Sequence, residues 1–452
     1  MFKKLTNVCV TLIQRFLPDP FLFCIILTVI VFVLAIPLTG QGPLAVIVHW
    51  GNGVWSLLAF SMQMALVLVL GSAMASSAPM QSALRKLAAI PQTPTQCIIL
   101  VTVVSLLACW LNWGFGLVVG AIFAKEIAKQ GKRVDYRLLI ASAYSGFLIW
   151  HGGFSGSIPL TVATLTDTVA KQTAGALTAA VPTSATIFAP FNLAICLAFF
   201  IILPLVNAKM HPEADKMVLI SPELLKEESV SNKAPVTPAE KVENSRILSW
   251  IIILIAGIFI VRHFITKGFL LDLNIVNLIF LTLGIIFHGN PINYVRAINK
   301  AAREAGGILL QFPFYAGIMG MMVGVSASTG LTLAGVISAA FIAMANQHTF
   351  PIFSFISAGV VNFFVPSGGG QWAVQAPIMM PAGAALGVAP AVTAMSIAWG
   401  DAWTNMIQPF WALPALGIAG LGARDIMGYC VMDLIISGII ICAVFLGIGY
   451  IF

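Results

Sequence analysis

Apolar residues fall in long blocks along this chain, and short polar or glycine-rich stretches interrupt the blocks at a few places. The first half carries blocks at about 20–40, 56–77, 96–124, 138–165 and 185–206. The second half carries them at about 247–265, 271–288, 305–328, 331–346, 350–386, 390–421 and 429–451. Most reach the roughly 20 apolar residues that a helix needs to cross a bilayer. Four blocks are broken internally: 96–124 at NWGFG (112–116), 138–165 at WHGGFSGSIP (150–159), 350–386 at PSGGG (366–370) and 390–421 at WGDAWTNMIQP (399–409). Glycine and proline open helical backbone. The pattern predicts an all-α polytopic membrane protein with two re-entrant hairpins and two broken transmembrane helices.

Composition sharpens this. Only 9% of residues are charged and 59% are hydrophobic, against roughly 25% charged in soluble domains. Mean hydropathy is +0.99, and residues 305–400 contain no Asp, Glu, Lys or Arg. The net charge of +7 is then a topology signal, because basic residues collect on the cytoplasmic side, and it gives no case for nucleic-acid binding. Six of the seven cysteines, Cys24, Cys97, Cys109, Cys196, Cys430 and Cys442, lie in apolar runs, and none belongs to a CxxC or Cys/His cluster. They read as packing residues. Residues 1–19 read as an uncleaved amphipathic helix on the cytoplasmic surface, since Arg15 and Asp19 interrupt any signal-peptide core. Residues 207–246, with mixed charge and four prolines, read as a cytoplasmic linker.

Basic residues flank 96–124 on both sides, at Arg85 and Lys86 before it and at Lys125, Lys129, Lys132, Arg133 and Arg137 after it. Two cytoplasmic flanks make this segment a re-entrant hairpin with NWGFG at its tip; a single long helix with a flexed middle is the alternative. The two halves also match each other at an offset of about 250 residues. Asn112 then falls on Asn362, His151 falls on Asp401, and Gln63 falls near Gln311. Each half reads span, span, broken hairpin, broken span, span, with 20–206 and 266–452 as the repeats and 247–265 as a connecting helix. Four crossings per half plus the connector start the second half from the opposite side, which is the inverted-topology repeat of secondary transporters. With a cytoplasmic N-terminus, nine crossings and a periplasmic C-terminus, twenty of the 23 Lys and Arg residues are cytoplasmic; Lys171, Arg262 and Lys267 are the exceptions.

Unwound backbone in lipid leaves polar groups unpaired at several kcal/mol each, so it is kept where it lines a protein-enclosed site. Free N–H groups at two hairpin tips can hold an anion, while carbonyls and Asn side chains can hold a cation. Candidate substrate ligands are therefore Asn112, Gly114, Gly116, Gly153, Ser155, Ser157, Asn362, Ser367, Gly368, Gly369, Gly370, Gln371, Trp403, Asn405 and Gln408. Asn112 and Asn362 are candidates for Na⁺, or alternatively cap their own broken helices. His151 and Asp401, ionisable at membrane depth, are candidates for a coupling proton, or alternatively structural partners at helix ends. Trp113, Trp150, Trp372, Trp399 and Trp403 gather around the breaks and would suit a wall for a short alkyl chain. Gly116/Gly120, Gly320/Gly324 and Gly383/Gly387 have the spacing of close helix packing. No Ser-His-Asp set, metal-ligand spacing or nucleotide-binding loop is visible, which argues against an enzyme, a resident cofactor and an ATP-driven pump.

The stretches LPDPF, GNGVWSLLAFSMQMALVLVLG, NWGFGLVVGA, GGFSGSIPL, QFPFYAGIMGMM, VPSGGGQWAVQAP and QPFWALPALGIAGLGARDIMGYC cover nearly the whole chain. They resemble the bacterial short-chain fatty acid transporter family, of the acetoacetate and butyrate uptake type, within the ion transporter superfamily. The resemblance implies uptake of short-chain monocarboxylates across the bacterial inner membrane, with H⁺ or Na⁺ as coupling ion. By fold-level analogy it also implies elevator-type movement and a homodimer in membrane lipid. The absence of Lys and Arg from the predicted breaks fits a single carboxylate. A cation/proton antiporter with Asp401 as exchanging group, or a carrier of another small carboxylate, stays open as the alternative.

Overall fold

The computed structural model describes residues 2–17, 19–164, 167–225, 237–268 and 273–451. Residues 226–236 of the expected linker and Met1 and Phe452 lie outside the described residues. Every regular element described is helical. The first half runs α1 (Phe2–Phe16), α2 (Pro20–Thr39), α3 (Pro43–Val54), α4 (Leu58–Ala75), α5 (Ala78–Ala89), α6 (Pro94–Leu111), α7 (Trp113–Lys129), α8 (Tyr136–Ser145), a 3₁₀ turn (Gly146–Gly152), α9 (Ser157–Ala163), α10 (Asp167–Gln172) and α11 (Pro190–Lys209). Two short helices, α12 (Pro222–Leu225) and α13 (Pro238–Glu243), precede α14 (Arg246–Lys267). The second half runs α15 (Leu273–His288), α16 (Pro291–Ala301), α17 (Gly306–Val323), α18 (Leu333–Ile342), α19 (Phe350–Asn362), α20 (Gly368–Ala385), α21 (Pro390–Thr404), a 3₁₀ turn (Pro409–Ala412), α22 (Leu413–Ala419) and α23 (Ala423–Ile451).

Local chemistry sets the helix ends. Asp19 caps α2 by accepting the Phe21 amide at 2.9 Å, Pro20 takes the first helical position, and Gly40 ends the helix with φ of 67°. Thr93 and Gln96 form a capping box at the start of α6. Asp135 caps α8 through the Leu138 amide at 2.8 Å.

Two helical hairpins occupy corresponding places in the halves. In the first, a Cβ on Gly116 would lie 2.4 Å from the Cys109 nitrogen, and one on Gly120 would lie 2.3 Å from Ser105 Oγ. The contact partner moves back along α6 as the position moves forward along α7, so the two helices run antiparallel in backbone contact. Gly116 and Gly120 make that approach possible. In the second, Gln371 Nε2 donates to Ala358 O at 2.8 Å, Gln375 Nε2 reaches Ser357 Oγ at 3.2 Å, and Gly383 lies against Phe350. α19 and α20 are therefore also antiparallel. Gly359 and Gly400 bring α19 and α21 into similar contact, with a Cβ on Gly400 only 2.3 Å from Phe355 O.

Six described helices are long and apolar enough to cross a membrane, and the bent pair α4–α5, with an 81° bend, makes up to seven. The chain is a multi-pass membrane protein. Three of the nine expected crossings fall outside that count, because the breaks cut α8 from α9 and α21 from α22 and α15 is only 16 residues long, while α6, expected as a hairpin arm, is inside it. Three helices sit where no separate element was expected: α3, α5 and the amphipathic α16. The first and last expected helices meet, since α1 packs on α23 with Gly428 against Val10. The connector α14 keeps Trp250, Leu254, Ile255, Ile258 and Ile265 exposed, which suits a lipid-facing helix.

Candidate functional site

The first hairpin tip is closed by its own side chains. Asn112 ends α6 and begins α7, with extended backbone (φ −155°, ψ 123°). Its amide donates to Ala108 O and its Oδ1 accepts the Phe115 amide, both at 2.9 Å. Ser155, from the break after α8, accepts the Trp113 amide at 3.0 Å. Three of the four amides left over at a helix start, those of Asn112, Trp113 and Phe115, are thus satisfied. Gly114 is buried at the second position of α7. Gly153 backs onto α6, where a Cβ would lie 2.1 Å from Trp110 O. Gly153 is a place of close backbone approach.

The second tip has a matching plan. Asn362 ends α19, and its Nδ2 faces Asp401 O at 2.7 Å, Asn405 Oδ1 at 2.8 Å and Thr404 Oγ1 at 3.0 Å. Asn362 lies 250 positions after Asn112, and Asn405 lies 250 after Ser155. Ser155 thus holds the first hairpin to its broken helix and Asn362 with Asn405 holds the second, while Asn112 caps α7. Ser367 caps α20, its Oγ taking the Gly370 amide at 3.4 Å and its carbonyl the Gln371 amide at 2.6 Å. The helix itself supplies no partner to the amides of Gly368 and Gly369.

Between the tips, His151 Nε2 and Asp401 Oδ2 lie 2.9 Å apart, both side chains buried. His151 comes from the 3₁₀ turn after α8 and stacks on Trp150, with ring centroids 3.7 Å apart. The N-terminus of α20 abuts this pair. A Cβ on Gly368 would come within 2.2 Å of Ser157 Oγ and 2.9 Å of both His151 Cε1 and Trp150. A Cβ on neighbouring Gly369 would meet nothing within 4 Å, so the helix start borders open space there. His151 Nδ1, Asp401 Oδ1, Ser157 Oγ, Asn362 Oδ1 and Asn405 Nδ2 are buried and have no protein partner. Buried polar atoms are paired as a rule, with protein groups, ordered water or a bound species.

The arrangement can hold one small anion. Helix N-termini carry partial positive charge and aim N–H groups outward. Ser157 adds a hydroxyl beside the His151–Asp401 pair. Beside it, Trp113 stands 5.9 Å from Trp150 and 5.0 Å from Trp411, while Phe147 stacks on Trp150 at 5.4 Å. No group of three or more His, Cys, Asp or Glu suited to a metal is found among the described residues.

Several expected ligands are placed elsewhere. Trp403 packs between Gly359 and Gly438 and donates to Leu434 O at 2.7 Å. Trp399 donates to Asn192 Oδ1 at 3.1 Å and packs edge-on against Phe199. Gln371 pins the second hairpin, and Gln408 Oε1 caps the turn at Phe410 at 2.8 Å. Gln63 donates to Asn274 Oδ1 at 2.8 Å, away from the tips, and does not share that role with buried Gln311. Phe147 and Trp411, which pack against Trp113 and Trp150, were not among the aromatic residues expected at the breaks. Trp411 lies in the QPFW stretch directly after the second break, a signal that was available.

The family described as Short chain fatty acid transporter matches residues 1–448. The chain is 47% identical over 445 residues to an Escherichia coli (strain K12) protein named "Putative short-chain fatty acid transporter", covering 97% of this chain and 98% of that one. A Haemophilus influenzae protein of the same name is 45% identical over 442 residues, with 97% and 98% covered. Among solved structures, the chain is similar to the YdaH transporter of Alcanivorax borkumensis, with a TM-score of 0.43 and 15% identity over 96% of this chain and 98% of that one.

Proposed function

This chain belongs to the short chain fatty acid transporter family, and on that premise we propose that it takes up short-chain monocarboxylates, acetoacetate and butyrate among them, in symport with H⁺ or Na⁺. The family is one of transporters, not enzymes. The observation that carries the substrate class is the start of α20, where the Gly368 and Gly369 amides have no helical partner, Gly369 borders open space, and Gly368 faces Ser157 and the His151–Asp401 pair without a Lys or Arg. A carboxylate set on the Gly368 and Gly369 amides and Ser157 Oγ would leave its short alkyl tail to the ring wall of Trp113, Phe147, Trp150 and Trp411.

The coupling ion we favour is H⁺, carried at His151–Asp401; the side-chain oxygen of Asn362 is the competing position for Na⁺. The setting is a bacterial inner membrane, with a cytoplasmic N-terminus, a periplasmic C-terminus and two inverted repeats, 20–206 and 266–452. The basic-residue distribution supports this topology, as do the matching positions of Ser155 and Asn405, each of which ties a hairpin to a broken helix. Homodimer assembly in lipid belongs to the same reading.

The test is uptake of radiolabelled butyrate and acetoacetate into proteoliposomes under separately imposed proton and Na⁺ gradients. Accumulation driven by the proton gradient alone supports the reading in full, and a Na⁺ requirement moves the ion to Asn362. Folded protein that takes up neither acid but exchanges cations would replace it with an antiporter acting through Asp401.

A further inference from the structure

The two broken helices are joined at a second place, beside the His151–Asp401 contact. The 3₁₀ turn that carries His151 ends at Gly152. A helix end leaves its last carbonyls without helical donors, and in lipid such groups must find partners. The Gly152 carbonyl has two: Trp110 Nε1 of α6 at 3.2 Å and Asn192 Nδ2 of α11 at 3.1 Å. Asn192 is fully buried in the first turn of α11. Its Nδ2 also donates to Ile187 O at 2.7 Å, and its Oδ1 accepts Trp399 Nε1 of α21 at 3.1 Å.

The partners fix which way the Asn192 amide points. An indole nitrogen only donates and a carbonyl only accepts. The side-chain oxygen therefore faces Trp399, and the nitrogen faces Gly152 and Ile187. Packing repeats the connection. A Cβ on Gly152 would lie 2.8 Å from Trp399 Cζ2 and 2.9 Å from the Sγ of Cys196, which follows Asn192 by one turn of α11. Trp399 also meets Phe199 of α11 edge-on, with ring centroids 5.5 Å apart. The His151 turn, α11 and the Asp401 helix thus share one junction.

That junction needs two N–H donors and one acceptor on a short side chain. Asparagine has them; a carboxylate lacks the donors, leucine lacks all three, and glutamine carries them one methylene further out. The groups that Asn192 links lie next to the ionisable pair in sequence. Gly152 directly follows His151, and Trp399 precedes Asp401 by two residues.

We propose that Asn192 is the positioning residue of the His151–Asp401 contact. It fixes the turn of the first half to the helix of the second in the register that sets the imidazole 2.9 Å from the carboxylate. Its consequence for transport rests on the reading of that pair as the coupling site, whereas the contact itself is tested without that reading.

The test is nitrogen-15 histidine NMR of the full chain in lipid, with uptake measured on the same variants. His151→Gln identifies the His151 signals among those of the six histidines. Asp401→Asn should move them, because Nε2 then faces an amide. Asn192→Leu, similar in shape but without the hydrogen bonds, should move them too. So should the milder Trp399→Phe, which removes the indole N–H and leaves both Asn192 donors in use. Phe199→Leu loosens packing on the same Trp399 ring but keeps the bridge, and it should leave the signals in place. Proton-driven butyrate accumulation should fall about fivefold in Trp399→Phe, with exchange at equal pH retained. Signals that move in Asp401→Asn but stay in Asn192→Leu and Trp399→Phe, or that move as far in Phe199→Leu, would overturn the positioning role and leave the transport reading standing. Signals that move in the bridge variants, with full accumulation in Asp401→Asn, would uphold the positioning role and overturn the coupling reading.

Discussion

His151 and Asp401, 250 residues apart in sequence, meet side chain to side chain at 2.9 Å in the buried centre of the protein. His151 sits in the 3₁₀ turn just before the break of one broken helix and Asp401 in the last turn of α21 before the other, and the Gly-rich start of α20 lies against the pair. The contact joins the two halves beside both breaks.

Asp401→Asn keeps the shape of this contact and removes the titratable acid. Proton-driven butyrate accumulation is expected to fall by about tenfold or more, a barrier change of about 1.4 kcal/mol, while butyrate exchange at equal pH on both sides persists. Accumulation at the wild-type level would place the coupling proton elsewhere.

The two glycines at the start of α20 separate shape from occupancy. Gly368→Ala pushes a methyl into Ser157 and His151 and should reduce both uptake and thermal stability. Gly369→Ala meets open space, so its melting temperature should match the wild type. Its butyrate uptake should nevertheless drop by about tenfold, because the methyl takes the space assigned to the carboxylate. Unchanged uptake in Gly369→Ala would remove the anion from this helix end.

The tip asparagines carry unequal loads. Asn112→Ala removes one helix cap, worth about 1 kcal/mol. Asn362→Ala orphans buried groups on Asp401, Thr404 and Asn405, at about 1–3 kcal/mol for each group left unpaired. Thermal unfolding in detergent should rank Asn362→Ala as the more damaging change.

On the polar rim, His211 Nε2 accepts the Asp135 amide at 3.2 Å, and the Asp135 carboxylate holds the Val218 amide at 2.8 Å. Burial lowers the His211 pKa below its ordinary 6.5, against the opposing pull of Asp135. A lowered pKa means that the unfolded segment takes up its proton first as the pH falls. The strap's stability is therefore present above pH 6.5 and declines below it. The protection factors of the Asp135 and Val218 amides, corrected for intrinsic exchange, should fall between about pH 7 and pH 5, and His211→Gln should flatten that dependence.

Much of this was legible in the sequence because the bilayer penalises open backbone. The four breaks read from Gly, Pro and Asn correspond to the tip at Asn112, the turn between α8 and α9, the tip before α20 and the turn between α21 and α22. The offset that paired His151 with Asp401 pointed to residues that touch. What the pattern could not convey was side-chain direction. Trp403 lies one turn from the second break, yet its ring faces α23. Asn192 escaped notice because a lone amide in an apolar run gives no sign of the indole opposite it, which comes from α21, 207 residues later. α3 and α5 were hidden for another reason: short helices beside long apolar spans add no hydrophobic block of their own.

The most direct measurement is butyrate binding to the purified full chain by isothermal calorimetry, with n-butanol as the uncharged analogue and Gly369→Ala as the folded control. The account predicts saturable binding of butyrate that Gly369→Ala weakens by about tenfold, or 1.4 kcal/mol, and no comparable binding of n-butanol. Equal binding of the two ligands, or undiminished butyrate binding by Gly369→Ala, would contradict a carboxylate held at the start of α20.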